Sequence, residues 1–502
     1  NSNVAQITVG NIQQLSGALQ VRGGASIGGN LYVAGEATIV GNVNFTAFLA
    51  ASINGTPIGN ATPSTGVFTT LGYGSANVRP PSRPVISFDF ANSRKLDTIL
   101  NFSRSGPATY YDAKGNLVVA PSQVPRFTYD SDTLRSRGIL IEESRANLYR
   151  ESNSFGNASV YTTLQASIST VAHATSSPDG TYNAYKLVEG SSTGQHAVYQ
   201  QAPYVPTISS GTTYTASAFA KRGERDQVAL VFFGESNPAI FDLTNGTIDF
   251  EGSPMSPSYR SSMQLLANGW YRIQSTVSKL NNSGNVAISP AVGGSIYYTG
   301  NGTNGVYIYG LQIEEGGFAT SYIPTTTVAN TRGADTLTVS SIEFLRRYNQ
   351  QESSVLVDAT LDYTPSTLVD NLRQSTIVSF NDGTASNRVS IVAETRSATA
   401  TRTANLIIVK AGAVESNANI ILGNLSVVVD NNRLASYFQS GALATAANGT
   451  GTTTAIAGNI SSSINAMSIG SGPGTAYING TIAKIQVWPA VVTGSQLSTL
   501  TK

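Results

Sequence analysis

Short apolar runs rich in Val, Ile, Thr, Tyr and Phe recur about every ten residues, separated by clusters of Gly, Asn, Pro or Asp. Residues 213–220, 227–233, 270–277, 305–313, 354–361, 376–380 and 425–429 are the clearest examples, and each reads as a strand. Helical spacing is scarce: 134–150 and 341–348 each have room for a turn or two, and 494–500 for a short terminal helix. The pattern predicts an all-β chain, a Gly-rich N-terminal segment followed by tandem β-sandwich (jelly-roll) domains.

The first seventy or so residues follow a different rule. Three thin rungs at 19–21, 30–33 and 37–40 are punctuated by Gly23, Gly24, Gly28, Gly29, Gly35 and Gly41. Each rung is too short and too sparsely apolar to bury a core alone, so it needs neighbours. Because each occurs once, sister chains winding into a trimeric shaft are the expected partners. The three prolines of 78–84 stiffen a linker, and residues 327–334 read as a second connector. The expected division is 1–78 fibre or assembly segment, 79–150 connecting β-module, 151–327 first sandwich and 328–502 second sandwich.

Composition narrows the function classes. Thirty basic and 29 acidic residues leave a net charge of +1, and only 12% of residues are charged, about half the usual ~25%. Neither nucleic acid nor membrane insertion is expected, because the basic surplus and the ~20-residue apolar run they require are both missing. The absence of Cys removes disulfides, thiol catalysis and zinc ribbons. Two histidines, His173 and His196, stand outside any Gly-x-Ser-x-Gly elbow. The chain opens on Asn1 without an initiator Met or a signal-peptide pattern, so it is expected to start downstream of its gene's beginning.

Two stretches resemble phage proteins. Asn54-Gly55-Thr56-Pro57-Ile58-Gly59-Asn60-Ala61-Thr62-Pro63-Ser64-Thr65-Gly66-Val67-Phe68-Thr69-Thr70-Leu71 is similar to a short repeat of bacteriophage tail-fibre and virion-fibre proteins. Arg104-Ser105-Gly106-Pro107-Ala108-Thr109-Tyr110-Tyr111-Asp112, then Pro125-Arg126-Phe127, then Leu140-Ile141-Glu142-Glu143-Ser144-Arg145-Ala146-Asn147-Leu148 resemble a module of phage tail and virion structural proteins. In that family the module runs into a carbohydrate-binding-type β-sandwich. Asn268-Gly269-Trp270-Tyr271-Arg272, Gln312-Ile313-Glu314-Glu315-Gly316 and Ser321-Tyr322-Ile323-Pro324-Thr325 follow in the family's order. The last stretch, closing on Gly480-Thr481-Ile482-Ala483-Lys484-Ile485-Gln486-Val487-Trp488, resembles a legume-lectin or laminin-G jelly roll.

These resemblances imply a virion fibre protein that is a homotrimer and not an enzyme. Its N-terminal segment would dock to other virion proteins, and its sandwiches would adhere to host surface glycans. A purely structural virion appendage (a capsid-decorating fibre or baseplate component) shares every feature used. A polysaccharide depolymerase would need two close carboxylates. The adjacent pairs Glu142/Glu143 and Glu314/Glu315 do not provide them, since strand neighbours face opposite sides.

Sugar recognition pairs an aromatic platform with amide hydrogen bonds, and Tyr297, Tyr298, Asn301 and Asn304 offer that mixture beside a turn. Consecutive tyrosines on a strand point to opposite faces, so one is expected inside and one outside. The same residues also serve as ordinary strand-end tyrosines with a polar turn. Trp270 and Trp488 lie within strand patterns and read as core anchors. No metal or other cofactor is expected. Asp358, Asp362, Asp382 and Asp430 are spread out, and Asn381-Asp382-Gly383, the best Ca²⁺ donor turn, lacks the dense oxygen cluster calcium needs.

Overall fold

A computed structural model describes residues 83–502, apart from 169–174, 235–237, 252–259, 280, 362–373, 397–400, 425–431, 440–441, 456–459, 474–475 and 493. The expected fibre segment 1–78, the phage-fibre repeat at 54–71, most of the proline linker, the strand at 425–429, His173, Asp362 and Asp430 lie outside the described residues. The described chain is all-β, built as two antiparallel sandwiches. Among the described residues the helices are three short ones, Phe90–Ser93, Ser341–Leu345 and Gly494–Leu500.

One sandwich is drawn from a single stretch, residues 145–332. Its first sheet runs in the order Arg260–Leu265, Tyr271–Ser278, Thr213–Lys221, Gly305–Glu315, Tyr185–Glu189, Ala166–Ile168. The second runs Thr247–Glu251, Ala239–Asp242, Gln227–Phe232, Val286–Ala291, Ala197–Gln200, Tyr161–Leu164. Period-two alternation sends Val228, Leu230 and Phe232 into the shared core, where they meet Ala216, Ile273 and Ile308. Strand Thr213–Lys221 is buried on both faces. Its second face packs Phe219 against Trp270, Tyr309, Tyr322 and, from the hairpin Ala108–Tyr111/Leu117–Ala120, Leu117. Trp270 is wholly buried and its indole N–H donates to the Ser176 carbonyl at 2.8 Å.

The other sandwich is discontinuous. Its eight-stranded sheet runs Thr450–Ala455, Ala442–Ala447, Asn432–Gln439, Glu352–Leu361, Gly480–Trp488, Ser136–Ile141, Phe127–Tyr129, and Ile86–Asp89 also pairs with Gly480–Trp488. The facing seven-stranded sheet runs Leu100–Ser103, Thr336–Val339, Ala466–Ile469, Gln374–Asn381, Arg388–Arg396, Thr401–Lys410, Ala413–Asn424. Ile86, Ile139, Leu337, Val357, Phe380 and Ile485 belong to one core between them. The C-terminal helix covers the outer face of the larger sheet, setting Leu497 near Leu356, Ala435 and Trp488.

The expected connecting module over 79–150 is therefore corrected: it has no independent core. The apolar positions of Ile86–Asp89 and Ser136–Ile141 both pair with Gly480–Trp488, more than three hundred residues away in sequence. The helical turn expected in 134–150 is likewise replaced by the strands Ser136–Ile141 and Arg145–Asn147. Gly138 permits the first of these. It sits at φ +89° with the Ile482 carbonyl oxygen 2.1 Å from where a Cβ would stand. Entry and exit of the inserted sandwich pair with each other, Arg145–Asn147 against Asn330–Arg332.

At this stem the resemblance motifs converge on a buried ionic cluster. Arg104 Nη1 lies 3.1 Å from Asp335 Oδ1, Arg126 Nη2 2.5 Å from Asp335 Oδ2, and Arg126 Nη1 2.7 Å from Glu142 Oε2. Arg332 approaches Glu142 at 3.6 Å. Ser321 closes the network from the inserted sandwich, donating to Glu142 through its backbone N–H (2.7 Å) and hydroxyl (2.6 Å). Burial alone would raise the Glu142 carboxyl, but Arg332, Arg126 and Ser321 hold it down at about 2. Such a network adds less stability than apolar packing of equal volume, yet removing one partner costs about 3–5 kcal/mol. Its effect is to fix the two sandwiches to each other.

Candidate functional site

The inserted sandwich carries a two-stranded ribbon, Thr193–Gln195 paired antiparallel with Tyr297–Thr299. The register sets Thr193 opposite Thr299 and Gln195 opposite Tyr297. Directly opposed residues share a face, so one face presents Thr193, Gln195, Tyr297 and Thr299 together. Tyr297 is 67% exposed, Thr193 and Thr299 are exposed and Gln195 is half-buried. The two threonine hydroxyls are 2.7 Å apart and hydrogen-bonded to each other.

Tyr298 points the other way, into a polar clamp. Glu189, at the end of strand Tyr185–Glu189, has a fully buried side chain. It accepts from Arg225 Nε (2.7 Å) and Nη2 (2.6 Å), from the Tyr298 hydroxyl (2.8 Å) and from the Asn301 backbone N–H (2.9 Å). Desolvation pushes this carboxyl up, but the Arg225 fork, the Asn301 N–H and the Tyr298 hydroxyl together hold it below its ordinary value. The same neighbourhood drives the Tyr298 phenol well above its ordinary range, through burial first and then its bond to Glu189. The Tyr298 ring lies 4.7 Å from the His196 ring, and the Arg225 guanidinium carbon 5.4 Å from the Tyr298 ring centre. Buried His196 is itself held by a 2.5 Å bond from Nδ1 to the Gln165 carbonyl.

The turn beyond is built by the asparagines. Asn301 Oδ1 accepts from the backbone N–H groups of Thr303 and Asn304, each at 2.9 Å, and from the Thr303 hydroxyl at 3.1 Å. The Asn304 carbonyl accepts from the Glu189 N–H at 2.9 Å. Of the four residues expected to contact ligand, Tyr298, Asn301 and Asn304 thus shape the loop, and Tyr297 presents its ring outward. Gln195, Thr193 and Thr299, which share its face, were not expected. Thr193 and Thr299 are 106 residues apart, and only the cross-strand pairing brings them together.

The remaining candidates divide differently. Glu142 is in the buried cluster, while Glu143 takes Arg145 at 2.6 Å and Asn479. Glu314 is buried and accepts from Thr320 and Gln312, its carboxyl raised by desolvation, while Glu315 is exposed. The two members of each pair therefore face different surroundings. Asp382 is occupied by Thr384, Asn387 and Ser463, and Asp358 by Arg433. Among the described residues no group of three or more His, Asp or Glu is placed to hold a metal ion. Two open clefts of about 600 and 530 Å³ lie elsewhere, one over Asp358 and Arg433 and one at the stem beside Arg145 and Glu315.

No family model and no curated protein matches the chain. Among solved structures it is similar to a Trypanosoma rangeli sialidase in complex with the inhibitor DANA, at 10% identity and TM-score 0.21, covering 63% of this chain. The chain spans 60% of that sialidase's length. A second likeness is to the tandem CBM22-1–CBM22-2 domains of Paenibacillus barcinonensis Xyn10C, at 9% identity and TM-score 0.21, covering 69% of this chain and 98% of that one. A GH43_12 protein from a capybara gut metagenome scores 0.11 at 9% identity, over 64% of this chain and 72% of that one. Scores this low carry neither fold nor function to the chain.

Proposed function

We propose that the chain is a non-enzymatic adhesin of virion-fibre type whose inserted sandwich presents the Tyr297 ribbon face to host surface glycans. The observation that carries this reading is a bare aromatic ring flanked by two hydroxyls and an amide on one face, with a fully bonded clamp behind it. A pyranose offers the complementary surfaces, C–H groups for the ring and hydroxyls for Thr193, Gln195 and Thr299. The clamp fixes the ribbon before ligand arrives, which lowers the ordering cost of binding. The fibre assignment rests on the resemblance of 54–71 and of the stem motifs. A homotrimer would multiply a weak site through effective concentration, and virion location with N-terminal docking belongs to the same reading.

The test is adsorption of labelled protein to host cells. Saturable, periodate-sensitive binding that falls at least tenfold in Tyr297→Ala, with an unchanged melting temperature, is the expected result. A second reading, the purely structural appendage, is favoured by one observation: the strongest sequence signatures, Arg104, Arg126 and Glu142, are turned inward to join the sandwiches. Absence of saturable binding by an assembled trimer would select it.

A further inference from the structure

The buried stem cluster holds a charge, and a set of donors, that its protein partners do not balance. Arg104, Arg126 and Arg332 are each no more than 1% exposed. The carboxylates against them are Asp335 and Glu142. A guanidinium does not deprotonate in a protein, so three cations face two anions. The adjoining pairs, Arg145 with Glu143 and Arg272 with Glu314, match one to one and leave the surplus of one positive charge standing.

The donors locate that surplus. Arg104 is fully used: Nε donates to the Gly106 carbonyl, Nη1 to Asp335, and Nη2 to the Ala120 and Pro121 carbonyls. Arg126 spends both terminal nitrogens on the Thr109 carbonyl, Ser321, Glu142 and Asp335, and only its Nε–H lacks an acceptor. Arg332 is different. Its Nη1 stands 3.4 Å from the Gly333 carbonyl, 3.6 Å from Glu142 and 3.9 Å from Asp335, at or beyond the reach of a hydrogen bond. Its Nε and Nη2 have no acceptor among the described residues. These two nitrogens form one edge of the guanidinium, the rigid fork that receives an anion side-on. Elsewhere in the chain a carboxylate takes that same edge, Glu189 on Arg225 at 2.7 and 2.6 Å and Asp358 on Arg433 at 2.9 and 3.2 Å.

Water would give the fork acceptors but leave the charge, and a buried charge without a counter-charge costs more than a buried dipole without a partner. One small anion answers both. We infer that the stem is an anion-binding site that takes one small monovalent anion, chloride or a planar oxyanion such as nitrate or formate, on the Nε/Nη2 edge of Arg332. The anion completes the ionic cluster that joins the two sandwiches. The inference takes nothing from the adhesin reading.

The test is urea unfolding of the full chain at neutral pH with sodium chloride, nitrate or formate raised to about 50 mM, sodium gluconate holding the ionic strength constant. An anion bound only by the folded chain raises the folding constant by the factor 1 + [anion]/Kd. The expected gain is saturable, at least tenfold, and lost in Arg332→Met. Chloride acting at the lowest concentration identifies a spherical ion as the occupant, and nitrate or formate a planar one. No saturable gain with any of the three, or a gain that Arg332→Met retains, overturns the inference. If Arg332→Met does not fold, a crystal structure of the wild-type chain grown in the stabilising anion decides, with bromide standing in for chloride. The anion on the Arg332 edge upholds the inference, and water there overturns it.

Discussion

Replacing Glu142 by Gln tests whether the stem cluster couples the two sandwiches. In the folded chain this carboxyl is held at about 2 against an ordinary 4.5. Each tenfold change in proton affinity is worth about 1.36 kcal/mol, so the depression corresponds to stabilisation on the order of 3 kcal/mol. Because the folded value is the lower one, the native state binds fewer protons. The contribution is complete above pH 4.5 and is lost as pH falls through that value towards 2. The amide keeps the shape but leaves Arg126 and Arg332 with one carboxylate fewer, for which the loss of a buried partner gives about 3–5 kcal/mol at neutral pH. Other carboxylates titrate in the same window, so the informative quantity is the difference between wild type and E142Q. Urea unfolding across pH 7 to 2 should show that difference near its maximum above pH 4.5 and shrinking towards pH 2. Trp270 lies in the inserted sandwich and Trp488 in the other, so W488F and W270F backgrounds report each separately. Both transitions should move together in E142Q. Parallel curves down to pH 2, a cost under about 0.5 kcal/mol, or a shift in one sandwich alone would refute the coupling.

Two further changes probe the elements that position the sites. Tyr298→Phe removes one donor from the buried Glu189 carboxylate and should cost about 1–3 kcal/mol in thermal or urea melts. It should also weaken glycan adsorption less than Tyr297→Ala does, because it loosens the ribbon without removing the platform. Gly138→Ala places a Cβ on the Ile482 carbonyl at a positive φ. It should lower stability by about 2 kcal/mol or more, whereas a neighbouring exposed substitution such as Arg135→Ala should be close to neutral by the same measurement.

The local code was legible and the pairing code was not. Strands expected at 213–220, 227–233, 305–313 and 354–361 appear as Thr213–Lys221, Gln227–Phe232, Gly305–Glu315 and Glu352–Leu361, because β-branched and aromatic runs bounded by turn residues act over a few positions. The opposed facing of Tyr297 and Tyr298 was legible for the same reason. The insertion was not, since nothing in residues 86–89 announces that their partners are 484–487. The segment 134–150 was misread as partly helical because Ile139, Leu140 and Ile141 are consecutive and all buried. A strand inside a packed sheet has no alternation to display. Gln195, Thr193 and Thr299 were missed because each is an unremarkable polar residue until a register aligns them with Tyr297.

The discontinuity also orders the way the chain must assemble. The inserted sandwich takes every strand of its two six-stranded sheets from 161–315, and its stem closes at 145–147 with 330–332. The other sandwich must pair Ile86 with Val487 and Leu100 with Val339. Closing such loops through an unstructured chain carries a large entropic cost, and closing them across a folded insert with adjacent ends carries much less. Arg332 ends the exit strand and Asp335 lies just past it, Glu142 lies just before the entry strand, and Arg104 and Arg126 lie earlier in the outer sandwich. The ionic cluster is therefore complete only when the two ends of the insert have met. In this scheme the buried arginines register the finished insert against the outer sandwich, so charges that add little net stability still decide which arrangement of the two sheets' edges is reached.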